Sequence, residues 1–464
     1  TILYGLCQDS AVRPSDPDRI VPSRALGYNP GQSEGMRAPR STHLPMRGGQ
    51  PPLRRLGRHG PFFDLLEALR GPECAICSIA AQTRSRYLEA LSYESVNDLA
   101  IRARLRQSRG FCNRHAWYLV EEIRDVFGTA IIYRDVLHTV QQLTSDLTHV
   151  SLASLGPQAT CVGCLTEEES TELALAALGR SLNNPEVVAA LQRSVGLCGP
   201  HLLRAVASTP PARRRQLVAL AGANGYREAA DAATLRWRAT GRRGTFGPNQ
   251  SNAPSEDRGA PVPVHRPPNR PSATAGDRAA AGAEPFTCAV CLAVGAELAQ
   301  FSSSAELDDG ISGVCNVHAW RAPAERLAPL AERQVSLLRE EAQKSASAVT
   351  SWLDQLAWLS PLRARPPGMA APLPCGLCQH QARLERDFCQ WATGPLCLPH
   401  LRQALSFHGS AALAPTRAIW EALDQHLTEY IRKEDYRFRG EPRGAEQGAT
   451  RWAVALISAA PGIR

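Results

Sequence analysis

Four times along this chain a Cys-x-x-Cys is followed, after 18 to 34 intervening residues, by a Cys-x-x-His. Taken consecutively, the sets are Cys74, Cys77, Cys112 and His115; Cys161, Cys164, Cys198 and His201; Cys288, Cys291, Cys315 and His318; and Cys375, Cys378, Cys397 and His400. Each x-x spacing places two ligand atoms one helical turn apart, and three thiolates with one imidazole complete a tetrahedral metal shell. Twelve of the fourteen cysteines are used this way, so any fold of this chain has to bring its pairs together in space.

The spacing also sets the architecture. Cys74 and Cys161 are 87 residues apart, as are Cys288 and Cys375, whereas Cys161 and Cys288 are separated by 127. Two units make a half and two halves make the protein, with the surplus between the halves. The expected divisions are a disordered Pro- and Arg-rich arm over 1–56, a first half over 57–239, a flexible linker over 240–284 and a second half over 285–460. The chain opens on Thr1, and Met36 and Met46 are candidate starts.

Within the units the pattern is helical, and the fold class expected is all-α. A short apolar helix starts near Pro61. Ile79 to Leu91 contains good helix formers without Gly or Pro, and Asn97-Asp98 caps a second helix that Gly110 ends. Asn183-Asn184-Pro185 and Gly196 repeat those signals in the second unit. Units three and four have shorter inserts and are expected to lose or compress that second helix. After His115, the residues Ile132, Val136, Val140, Leu143, Leu147 and Val150 form one apolar face, read as core packing. Leu235 to Arg238 and Tyr436 to Arg439 lie at similar distances beyond His201 and His400 and read as matching half-ends, with one further helix around Trp452.

The formal charge is +8, from 52 basic and 44 acidic residues. A zinc ion held by three thiolates carries a net charge of minus one, so four such sites reduce +8 to about +4. This basic balance does not by itself specify a nucleic-acid partner. No apolar run reaches the length of a membrane span and no secretory start is evident, so the expected compartment is the cytosol, where x-x-spaced cysteines serve metals rather than disulfides.

Three thiolates and an imidazole suit zinc, and the expected cofactor is Zn2+, about four per chain, in closed structural sites. An iron–sulfur centre and thiol redox chemistry by the Cys-x-x-Cys pairs are the alternatives. Cys7 and Cys389 fall outside the motifs, Cys389 reading as a buried helix thiol. Trp117 and Trp320, each two residues past a motif His, read as packing over the sites.

The motifs resemble an uncharacterised prokaryotic family of domain-of-unknown-function type, whose members pair Cys-x-x-Cys with Gly-Phe-Cys-x-x-His in helical units. The residues carrying the likeness are Cys74 to Cys77, Arg86 to Glu89, Val96 to Asp98, Gly110 to Trp117 and Ile431 to Phe438. The resemblance implies the metal and the helical fold and brings no activity with it.

The functional expectation is a zinc-knuckle helical scaffold for a macromolecular partner, protein or RNA/DNA. The alternative is an enzyme or anion-binding protein built on Lys433, Asp435, Tyr436 and Arg437. Lys433 is one of only two lysines, and if the helix from Ile419 continued, it would share a face with Tyr430, Tyr436 and Arg437.

Overall fold

The computed structural model describes residues 60–145, 152–223, 232–242, 286–303, 313–347 and 375–463. The expected arm with Cys7, and all of the expected linker except 240–242, lie outside them. Every described element is helical, so the fold is all-α. The first half contains α1 (Gly60–Leu69), α2 (Ala75–Glu94), α3 (Leu99–Gln107), α4 (Asn113–Tyr118) continued by a π turn, α5 (Val126–Leu143), α6 (Leu152–Leu155), α7 (Val162–Ser181), α8 (Pro185–Arg193), α9 (Gly199–Ser208), α10 (Pro211–Ala223) and α11 (Ala232–Thr240). The second half contains α12 (Ala289–Ser303), α13 (Asn316–Ala319), α14 (Ala324–Ser347), α15 (Gly376–Cys389), α16 (Leu398–His408), α17 (Leu413–Glu434) and α18 (Ala449–Ser458). No described helix is long and apolar enough to cross a membrane.

The punctuation acts as its chemistry requires. Asp98 accepts the Ile101 N–H at 2.9 Å at the start of α3, and Asn184 accepts that of Glu186 at 2.8 Å at the start of α8, where Pro185 is the first residue. Gly110 and Gly196 follow with φ of +80° and +87°, the left-handed conformation glycine adopts most cheaply. In the second half α15 ends at Cys389 and a turn leads to Cys397, so the fourth unit has no second helix. The matching insert of unit three, 304–312, is outside the described residues. Ile132, Val136 and Val140 of the α5 stripe are buried; Leu147 and Val150 lie outside the described residues.

The two halves interlock. α10 and α11 of the first half pack on α14 of the second, and α17 and α18 of the second pack on α5 of the first. One apolar cluster accordingly takes Val136 and Leu137 together with Trp420, Leu423, Val454 and Ile457. Arg134 and His138 of α5 both reach Asp424 of α17, His138 at 2.7 Å.

The exchange is fastened at the helix ends. Asn113 donates to the carbonyls of Ser458, Ala459 and Ala460, while Asn316 donates to those of Thr240, Gly241 and Arg242. The Trp117 and Trp320 indole N–H groups donate to Ala459 and Gly241 carbonyls in the same places, so these tryptophans clasp the opposite half's terminal segment. This corrects the expected match of half-ends. The counterpart of α11 is α18, whereas Tyr436 to Arg439 lie in the turns after α17.

Candidate metal centres

In seven of the eight motifs the first cysteine is the N-cap of a helix, and in the eighth Cys288 stands immediately before α12, its carbonyl accepting the Leu292 N–H. The second ligand, three residues on, lies in the first turn. Both side chains thus gather at the positive end of the helix, where thiolates are stabilised.

The structure groups these residues into four clusters that could hold a metal ion. They are not the consecutive sets. The outer pairs of each half meet, Cys74 and Cys77 with Cys198 and His201, and Cys288 and Cys291 with Cys397 and His400. The inner pairs meet likewise, Cys112 and His115 with Cys161 and Cys164, and Cys315 and His318 with Cys375 and Cys378.

The physical reason for this correction is helix length. α2 has 20 residues and so spans about 30 Å, while the nine residues of α3 cover only about 14 Å, so the chain reaches Cys112 far from where it left Cys77. α2 and α7 pack together, and their opposite ends share cores: Cys74 and Cys77 with Leu175 and Leu178, Leu88 and Leu91 with Cys161 and Val162. The two helices are therefore antiparallel, with a Cys-x-x-Cys at each end. Each receives the Cys-x-x-His delivered by the other helix.

The ligand atoms converge closely. In the first outer cluster Cys77 and Cys198 sulfurs are 3.8 Å apart and His201 Nδ1 lies 3.5, 3.3 and 3.3 Å from Cys74, Cys77 and Cys198. In the first inner cluster Cys112 and Cys164 are 3.6 Å apart and His115 Nδ1 lies 3.3, 3.4 and 3.5 Å from Cys112, Cys161 and Cys164. The second half repeats this, with 3.7 Å between Cys291 and Cys397 and 3.6 Å between Cys315 and Cys378. Gly163 leaves room for the ring, since a β-carbon there would come within 2.8 Å of the His115 imidazole.

The electrostatics call for a cation. Hydrogen bonds from Cys161 and Cys164 draw the Cys112 thiol well below its usual range, and Cys375 and Cys378 do the same to Cys315. Burial pushes the imidazoles down, but the surrounding sulfurs outweigh it and raise His115 to about 10 and His318 to about 9. Both inner clusters thus concentrate negative charge around a group that takes up a proton when nothing else is bound.

Polar side chains back three of the four imidazoles, with Glu385 3.9 Å from His400 Nε2 in one outer cluster. His318 Nε2 meets Gln381 Oε1 at 3.1 Å, and His115 Nε2 faces Glu167 at 3.5 Å. Gln381 and Glu167 each lie three residues after the second cysteine of their Cys-x-x-Cys, where the outer motifs have Ala80 and Val294. Glu167 is also paired with Arg84, at 3.0 Å, and with Arg114. Such partners orient a ligand imidazole. Cys389 is buried and directs its thiol at the His400 carbonyl, 3.6 Å away, outside the cluster.

The C-terminal group does not assemble as expected. α17 ends at Glu434, so Asp435, Tyr436 and Arg437 leave the helix face that carries Lys433. The Lys433 amine turns inward, donating to the Pro442 carbonyl at 2.6 Å and Glu446 at 2.9 Å, with Glu429 at 3.3 Å. Asp435 pairs with Arg437, and Tyr436 is exposed.

No protein-family model matches the chain, and no solved structure matches it. An uncharacterized 23.9 kDa protein in the xynA 3' region of Caldicellulosiruptor sp. (strain Rt8B.4) is 35% identical over 75 residues, which is 16% of this chain. The chain covers 36% of that protein's length.

Proposed function

We propose that the chain is a zinc-stapled helical scaffold, four closed structural ions holding together a surface that a macromolecular partner binds, and that it belongs with the domain-of-unknown-function family it resembles. The observation carrying the metal reading is the size of the clusters. Zinc with sulfurs at about 2.3 Å and a nitrogen at about 2.0–2.1 Å defines tetrahedral edges of about 3.8 Å between sulfurs and about 3.5 Å from sulfur to nitrogen. One pair of sulfurs in each cluster stands 3.6–3.8 Å apart, and the nitrogens lie 3.2–3.5 Å from their sulfurs. A single ion fits that space, whereas an iron–sulfur cluster would spread its ligands over several iron atoms and hold them farther apart. A shell of four protein ligands leaves no position for substrate, which favours a structural role, worth on the order of 10 kcal/mol per site in small zinc domains.

None of the described cysteines forms a disulfide, which supports a reducing compartment such as the cytosol. The catalytic alternative at Lys433 gains no support from an amine already engaged by two acids and a carbonyl. Protein purified without chelator is expected to contain about four zinc ions per chain. A content near zero, or iron with visible charge-transfer absorption, contradicts the proposal. Retention of a nucleic-acid partner is expected to fall by about 0.7–0.9 log units per log unit of salt for each phosphate contact. Retention that ignores salt identifies a protein partner instead.

A further inference from the structure

At the seam between the halves two arginines come to the same turn, and no carboxylate among the described residues pairs with either. Arg109 ends the segment after α3, and Arg402 lies in α16, two residues beyond His400. Both lean on the turn after α6. Arg109 donates to the carbonyls of Arg106 and Ser154, and a β-carbon added to Gly156 would come within 2.6 Å of Arg402 Nη2. The Nε atoms of both arginines are buried with no hydrogen-bond partner among the described residues. Arg109 also holds a left-handed backbone, φ +56°, which a residue with a side chain adopts only at a cost.

We propose that Arg109 and Arg402 form a binding site for one oxyanion, the phosphate or carboxylate group of a small molecule. Guanidinium forks bind such groups through paired charge-assisted hydrogen bonds. The seam between two packed halves is a common place for a ligand. The bound oxyanion supplies the missing counter-charge and ties α16 of the second half to α6 of the first.

The test is the thermal midpoint of the zinc-loaded full chain, titrated with sodium phosphate and separately with sodium acetate, each against sodium chloride at equal ionic strength. A saturable rise with one of them is expected and identifies the source as phosphate or carboxylate. Arg402→Gln should weaken the apparent affinity about tenfold or more, the loss of one charge-assisted pair. Arg109→Gly should do the same while relieving its backbone, so the fold is preserved as the guanidinium is removed. Arg86→Gln, on the exposed side of α2, should leave the response unchanged. No rise beyond chloride, the result also given by an acid from outside the described residues seated on the pair, overturns the proposal. So does a rise that survives both variants.

Discussion

Ala459 has φ +65° and ψ 173°, a region essentially reserved for glycine, and its carbonyl is held by Asn113 and Trp117. The corresponding position in the other half is Gly241, with φ +90° and its carbonyl held by Asn316 and Trp320. Ala459→Gly is therefore expected to stabilise the protein by about 1 kcal/mol, strain relief exceeding the added freedom of the unfolded chain. Gly241→Ala should act in the opposite direction. Urea denaturation measures both, and equal signs would refute the equivalence. A second residue-scale prediction concerns Lys433. Its amine is raised above its ordinary 10.5, chiefly by the bond to Glu446. Glu446 is pushed up by burial but held below 4.5 overall by the Gly444 N–H and Lys433. A raised base stabilises below its ordinary pKa and a lowered acid above its own, so the pair contributes between about pH 4.5 and 10.5. The stability gap between wild type and Lys433→Met should be open across that window and narrow on either side. A gap indifferent to pH would show that the ion pair is not its cause.

Helix length decides which cysteines meet. The ligand types and the all-α class were legible in the chain, because an x-x spacing and a helix former act locally. The partner of each pair was not, since equal motifs leave pairing to the path between them. Part of that path was visible: a helix through Ile79 to Leu91 carries the chain away from Cys77, and this argues against an immediate return. Glu167 and Gln381 were missed, although a polar residue three past the second cysteine in only two of four motifs is a signal that points to them. The Lys433 group was misread because the face required α17 to run on, and it ends at Glu434. All four ligands of each outer cluster are buried, whereas Cys112, Cys164, Cys315 and Cys378 of the inner clusters are half-exposed. A metallochromic chelator should accordingly remove two zinc ions quickly and two slowly. Release of all four at one rate would show that burial does not govern access.

The whole molecule is joined by exchange rather than by contact of two finished domains. Its two halves were apparent from the matched offsets, but the crossing of α10 and α11 onto α14, and of α17 and α18 onto α5, depends on long-range packing that no local pattern records. Cleavage between 243 and 285 should therefore leave two fragments that elute together at the mass of the full chain and separate only in denaturant. Fragments that part under native conditions would refute the interlock. The most direct test of the account is the zinc content of the Cys74→Ser, Cys198→Ser double variant beside wild type. With the two cysteines in one cluster, the wild type holds about four zinc ions per chain and the variant about three. A variant with about two would restore the consecutive pairing and contradict the structure.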